Sequence, residues 1–129
     1  MGLPEASETL WRERELLDLL LFKLEEEALL VDAGRTRWLD RAAREVDLLL
    51  VELRRTELLR AVQTDDAALD LGLGPGATLR ELVDVAPEPW ATILDDHRRA
   101  LLAATGELAA LTRGPVVDRA RVVALEEAM

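Results

Sequence analysis

His97 is the only histidine in the chain, and it follows two carboxylates in Asp95-Asp96-His97. Such a group could serve as a general base if an orienting acid and a substrate pocket met it. On a helix, adjacent residues point in different directions, so Asp95 and Asp96 do not converge on the ring. His97 falls instead on the apolar seam of its segment, which reads as a packing residue with an ordinary hydrogen bond. A di-metal site in a helical bundle needs Glu-x-x-His on two helices. A single histidine, with Leu94 three residues before it, excludes that arrangement. Glu25-Glu26-Glu27 could suggest cation binding, but three consecutive residues splay over roughly 200° of helix. No metal and no cofactor is expected. Gly72-Leu73-Gly74-Pro75-Gly76 resembles a phosphate loop only in outline. No strand precedes it, no Gly-Lys-Ser/Thr follows, and Pro75 removes an amide that a phosphate would use. It reads as a hinge between helices. The absence of cysteine removes thiol catalysis, disulfides and thiolate-bound metals.

Small all-α mutases bind a dianion among inward-facing arginines and lysines. Here Arg41, Arg44, Arg54 and Arg55 flank the apolar stripe of their helix, and Lys23, the sole lysine, has no evident inward partner. No catalytic residue is assigned, and the chain is not expected to be an enzyme.

The elements that position these residues follow from composition. Of 129 residues, 28 are Leu and 19 Ala, Tyr is absent and Phe occurs once, which favours helices over sheets. With 26 acidic against 16 basic residues, a nucleic-acid partner is disfavoured because phosphate repels such a surface. Apolar runs such as Leu19–Phe22 and Leu48–Val51 are four residues long, so no membrane span is expected. Glu5, Glu8 and Arg12–Glu15 stand where a signal peptide would carry its apolar core, and a cytoplasmic chain is expected.

The fold expected is all-α: an antiparallel bundle of three long helices, with a short helix in the second connection and a C-terminal amphipathic segment. The whole chain is expected to form a single helical-bundle domain. The first helix is placed over 7–33, capped by Ser7 and stopped by Gly34. Leu10, Leu17, Leu24 and Val31 recur every seven residues, with Leu20, Leu21 and Ala28 beside them. The second helix is placed over 36–71, capped by Thr36, with a stripe of Leu39, Ala42, Ala43, Val46, Leu49, Leu50 and Leu53. The short connection makes the two antiparallel, and the acidic first helix against the basic second favours the pairing through rim ion pairs. Thr78 and Glu81 have capping-box spacing for a short helix over 78–85. The third long helix, over 89–112, carries Trp90, Leu94, His97, Leu101, Ala104, Leu108 and Leu111 until Gly114-Pro115. The segment 116–128 is too short to be a stable helix alone and needs a surface to lie on. Trp11, Trp38 and Trp90 fall in the first turns of the long helices, where such residues close core ends or anchor partners.

Several stretches together resemble the FlgN-type flagellar export chaperones. They are Leu10-Trp11-Arg12-Glu13-Arg14-Glu15-Leu16-Leu17 with Leu20–Glu25, Leu71-Gly72-Leu73, and Thr78-Leu79-Arg80-Glu81-Leu82. Pro89-Trp90-Ala91-Thr92-Ile93-Leu94, with His97-Arg98 and Leu101, completes the set. The resemblance implies a cytosolic, non-catalytic chaperone of the flagellar type III export pathway. Its partners would be the hook-associated (hook–filament junction) proteins, kept from premature self-association, and components of the export apparatus. By position it assigns client contact to Val116, Val117, Ala120, Val123 and Ala124. Thr112-Arg113-Gly114-Pro115 departs from the family pattern by breaking the third helix.

The residues themselves add one observation. Between Leu16 and Leu24 only Asp18 and Lys23 interrupt seven apolar residues, so this helix is apolar around most of its girth. Such a helix touches more than one neighbour, or a partner. Leu16, Leu19 and Phe22 are therefore further candidates for partner contact. Two alternatives stay open: a helical scaffold that self-associates, as a homodimer for example, through the surplus stripe, and a small all-α enzyme of mutase type.

Overall fold

The computed structural model describes residues 2–111 and 119–129. The first long helix, α1, spans Leu3–Asp32. It starts before Ser7 because Gly2, at φ 90°, turns the chain into it, and Pro4 occupies the first turn, where its missing amide costs nothing. Ser7 is therefore not a cap but a buried mid-helix residue. Gly34 ends the helix at φ 68°, and the Arg35 amide reaches back to the Leu30 carbonyl at 2.9 Å.

Thr36–Trp38 form one 3-10 turn, and α2 runs from Leu39 to Asp70. The Thr36 side chain makes no capping bond, so the second helix enters through this turn instead of the expected cap. Further along, α3 spans Leu79–Val85, α4 spans Trp90–Leu111 and α5 spans Arg119–Ala128. Thr78 caps α3 through a complete capping box: the Glu81 amide donates to Thr78 Oγ1 at 3.1 Å, and the Thr78 amide to Glu81 Oε1 at 3.0 Å. These bonds hold the exposed Glu81 carboxyl below its ordinary pKa.

Cross-helix contacts set the topology. Thr9 meets Gln63, Glu13 meets Arg60 and Lys23 meets Glu45, a descending register that makes α1 and α2 antiparallel. Ser7 meets His97, whereas Leu21 and Ala104 share one cleft, so α4 runs parallel to α1. The protein is thus an all-α, up-down-up bundle with α3 in the second connection. Its centre is built from Leu10, Leu17 and Leu20 of α1, Leu53 of α2, and Leu94, Leu101 and Leu108 of α4, all essentially inaccessible.

The expected seams hold through the middle of the bundle and fail at its far end. Val31, Ala28, Ala43 and Leu111 face outward. In the register set by Leu21 and Ala104, Leu111, the last described residue of α4, lies level with Ala28.

The C-terminal segment finds its surface on the protein itself: α5 packs on α4 with Val122, Leu125 and Met129 buried. The Met129 carbonyl accepts from the Arg80 amide at 3.2 Å and from Arg98 Nε at 3.0 Å, fastening this end between α3 and α4. Replacing Leu101 by Ala, at the centre of α4, is expected to cost about 2–5 kcal/mol. Urea unfolding followed by circular dichroism measures it, with the midpoint lowered and the slope unchanged.

Candidate partner-binding surface

Two groups of polar residues sit where the seams call for apolar ones, and they fix how the helices present their outer faces. Glu13 falls on the Leu10–Leu17 seam of α1 and is completely buried; Arg60 falls seven residues after Leu53 and is 8% exposed. Arg60 Nε donates to Glu13 Oε1 at 2.6 Å, while Glu13 Oε2 has no hydrogen-bond partner among the described residues. Burial raises the Glu13 carboxyl above its ordinary pKa; the Arg60 charge and hydrogen bond pull the other way, and nearby Glu57 adds to the rise. The complementarity expected of the acidic first and basic second helices is thus expressed inside the core. Thr64 and Thr105 are also buried, and each returns its hydroxyl to the carbonyl four residues earlier, leaving little polarity for the core to satisfy.

The second group surrounds His97, which is 1% exposed. Arg14 Nη1 lies 3.1 Å from Nδ1 and can only donate, so Nδ1 accepts and Nε2 carries the proton given to Ser7 Oγ at 2.9 Å. The Trp11 ring meets the imidazole edge-on at 5.0 Å, and the Arg14 guanidinium stacks 4.1 Å from the Trp11 ring centre. Arg14 also donates to Asp96 Oδ2 at 3.1 Å. Burial, then the Arg14 charge, push the His97 pKa down to about 4 against the opposing pull of Asp96. Its packing role stands, and its partners come from α1. Trp11 lies more than two turns into α1 instead of in its first turn, with half its surface open.

Outside these groups, apolar side chains face water. On α1, Leu19 and Phe22 are about half exposed and Leu29 is 68% exposed. Phe22, Leu29, Leu30 and Ala33 line a cleft of about 450 Å³ edged by Glu25 and Glu26. Leu16, expected on this strip, is 3% exposed and belongs to the core. Its position, three residues after Glu13 and seven after Thr9, turns it with them towards α2. Leu19 and Phe22 therefore stand on the open face with Leu29, a residue the sequence reading passed over, though Phe22 and Leu29 are one heptad apart. Of the positions in the last segment, Val123 and Ala124 face outward from α5. Val116 and Val117, and the side chain of Ala120, lie outside the described residues. Among the described residues, Val123 and Ala124 belong to α5, which packs on α4, whereas the strip belongs to α1.

Among the described residues, no group of three or more His, Asp or Glu is placed to hold a metal, and no helix is long and apolar enough to cross a membrane. The one interior arginine of α2, Arg60, is engaged by Glu13, and Lys23 bridges Glu26 and Glu45 at the α1–α2 surface.

The profile of the FlgN protein family matches residues 1–113. The chain belongs to the FlgN family. This is a family of flagellar export chaperones and is not known as an enzymatic one. No curated protein and no solved structure gives a match. The FlgN match takes in α1 to α4, with Leu19, Phe22 and Leu29, and stops short of Val116–Ala124.

Sequence reasoning missed Glu13 and Arg60 because periodicity treats a charged residue as outward. Their spacing from Leu10 and Leu53 was the available signal. Arg60→Ala leaves a buried, unpaired carboxylate and is expected to cost about 3–5 kcal/mol, whereas Glu13→Leu/Arg60→Met together are expected to be near neutral or stabilising. Chemical denaturation of the single and double variants gives both numbers.

For His97 the folded pKa lies below the ordinary 6.5, so between about 6.5 and 4 the unfolded chain binds a proton that the folded chain does not. Stability from this residue is therefore present above about 6.5 and lost as pH falls towards 4, by at most about 1.4 kcal/mol per pH unit. Urea midpoints at pH 7, 5.5 and 4.5 are expected to fall more steeply in the parent than in His97→Gln.

Proposed function

We propose that this FlgN-family chain is a cytoplasmic chaperone of hook-associated proteins. It holds their terminal helices apart before secretion and hands them to the export apparatus. The observation that carries this reading is the open apolar strip of α1, where Leu19, Phe22 and Leu29 have no helix over them among the described residues. Burying exposed apolar area is worth about 25 cal/mol per Å², and an amphipathic helix is the shape that fits such a strip.

Glu25 and Glu26 on the edge of the cleft set the complementary chemistry. The bound segment presents leucine-like residues at helical spacing with Lys or Arg flanking them. Shielding that stripe is also what keeps a client from pairing with its own copies. Val123 and Ala124 on α5 offer a second, smaller contact, fitting the role that the family resemblance gives the last segment.

Calorimetric titration of the protein with the isolated terminal segment of a hook-associated protein is the test. Parent protein is expected to bind, and Phe22→Glu/Leu29→Glu is expected to weaken binding at least ~30-fold, as for loss of a hot spot worth about 2 kcal/mol. Its melting temperature should stay close to that of the parent, because both residues are exposed. Failure of the parent to bind any hook-associated protein would overturn the proposal.

A further inference from the structure

A second apolar stripe, on α2, is separate from the α1 strip and from the core. Leu48, Val51, Leu58, Val62 and Leu69 are each more than half exposed. With Arg55 and Asp65 they occupy positions 48, 51, 55, 58, 62, 65 and 69, steps of three and four that keep one helix face over 22 residues, about 32 Å at 1.5 Å per residue. The core face of the same helix, carrying Ala42, Val46, Leu53 and Arg60, lies opposite.

We propose that this face of α2 is a self-recognition surface that pairs two copies of the chain antiparallel. Charge selects the occupant and the direction. Aligned antiparallel about residue 60, Val62 lies against Leu58 of the second copy, Val51 against Leu69, and Arg55 against Asp65. Each of these layers then matches apolar with apolar or a cation with an anion, while Leu48 falls opposite position 72, past the end of α2. A parallel, in-register pair would instead set Arg55 on Arg55 and Asp65 on Asp65, which like-charge repulsion disfavours. Arg55 is exposed, held only by Glu52 of its own helix at 3.2 Å, so it can reach across. Asp65 Oδ1 accepts from the Gly76 amide at 3.3 Å, which fixes the carboxylate near the stripe.

The strip is one helix wide, roughly 10 Å, and is smaller than the ~800 Å² per partner of a standard interface. Glu52 and Asp66 of the second copy also share a flank with like charge. The pair is therefore weak and concentration-dependent, and dissociates on dilution.

Sedimentation velocity over a range of concentrations up to about 1 mM tests it. The weight-average mass is expected to rise from 14.3 kDa towards twice that value. Arg55→Asp and Asp65→Arg, each replacing an ion pair by like charges, are expected to weaken association at least ~10-fold. The double exchange Arg55→Asp/Asp65→Arg restores it. Leu58→Glu abolishes association with helix content unchanged, while Phe22→Glu on α1 leaves it intact. A mass that stays at 14.3 kDa throughout, or an exchange variant that fails to recover what the single variants lose while remaining helical, overturns the proposal.

Discussion

Two helices of this bundle carry more apolar surface than its architecture can cover. A helix packed in a three-helix arrangement has neighbours on one side and water on the other, so a single stripe of roughly 100° suffices. On α1 the stripe through Leu10, Leu17 and Leu24 meets that need, and Phe22 and Leu29 are surplus. On α2 the face through Val46 and Leu53 meets it, and Leu48, Leu58 and Val62 are surplus. Large exposed aliphatic groups are ordinary when scattered, but here they repeat at helical spacing along two faces. The acidic excess of the chain keeps such a molecule dispersed while those faces are open.

Polar residues inside the bundle give these faces a fixed orientation. Apolar seams tolerate sliding and rotation; an ion pair such as Glu13–Arg60 does not, because breaking it strands a charge in the core. Arg14 acts similarly between α1 and α4, held by Trp11, His97 and Asp96 at once. Together the two clusters lock α1 against both neighbours over its N-terminal half. The open strip occupies the other half, beyond both buried clusters. Rigidity at one end and exposed apolar surface at the other suits the client-holding role proposed for the protein.

The helical architecture was legible because leucines recur with the helical period and Gly-Pro clusters interrupt them. Local chemistry at ends was read unevenly. Thr78 and Glu81 formed their capping box because nothing nearby competes, whereas Ser7 gave up its capping role to a start set by Gly2 and Pro4. Interior polarity was the least legible feature. Glu13 and Arg60 obey the seam, but only tertiary pairing across α1 and α2 reveals that a charge can be kept there. The candidate surface was half visible: helical girth pointed to Leu19 and Phe22, while the division between Leu16 inside and Leu29 outside depended on where both neighbouring helices lie. In α5, the resemblance pointed to Val123 and Ala124, while packing on α4 buries Val122 and Leu125, which the sequence did not single out.

The proposed function requires the protein to hold a foreign helix, and uncovered helical faces on a clamped bundle are physically suited to that task. Covalent side-chain footprinting of the protein, alone and with a hook-associated protein's terminal segment, bears on this most directly. Modification of Leu19, Phe22 and Leu29 is expected to drop sharply when the segment is present, while Leu48 and Val123 change less. Binding that leaves those three residues as reactive as in the free protein would contradict the role proposed for the strip.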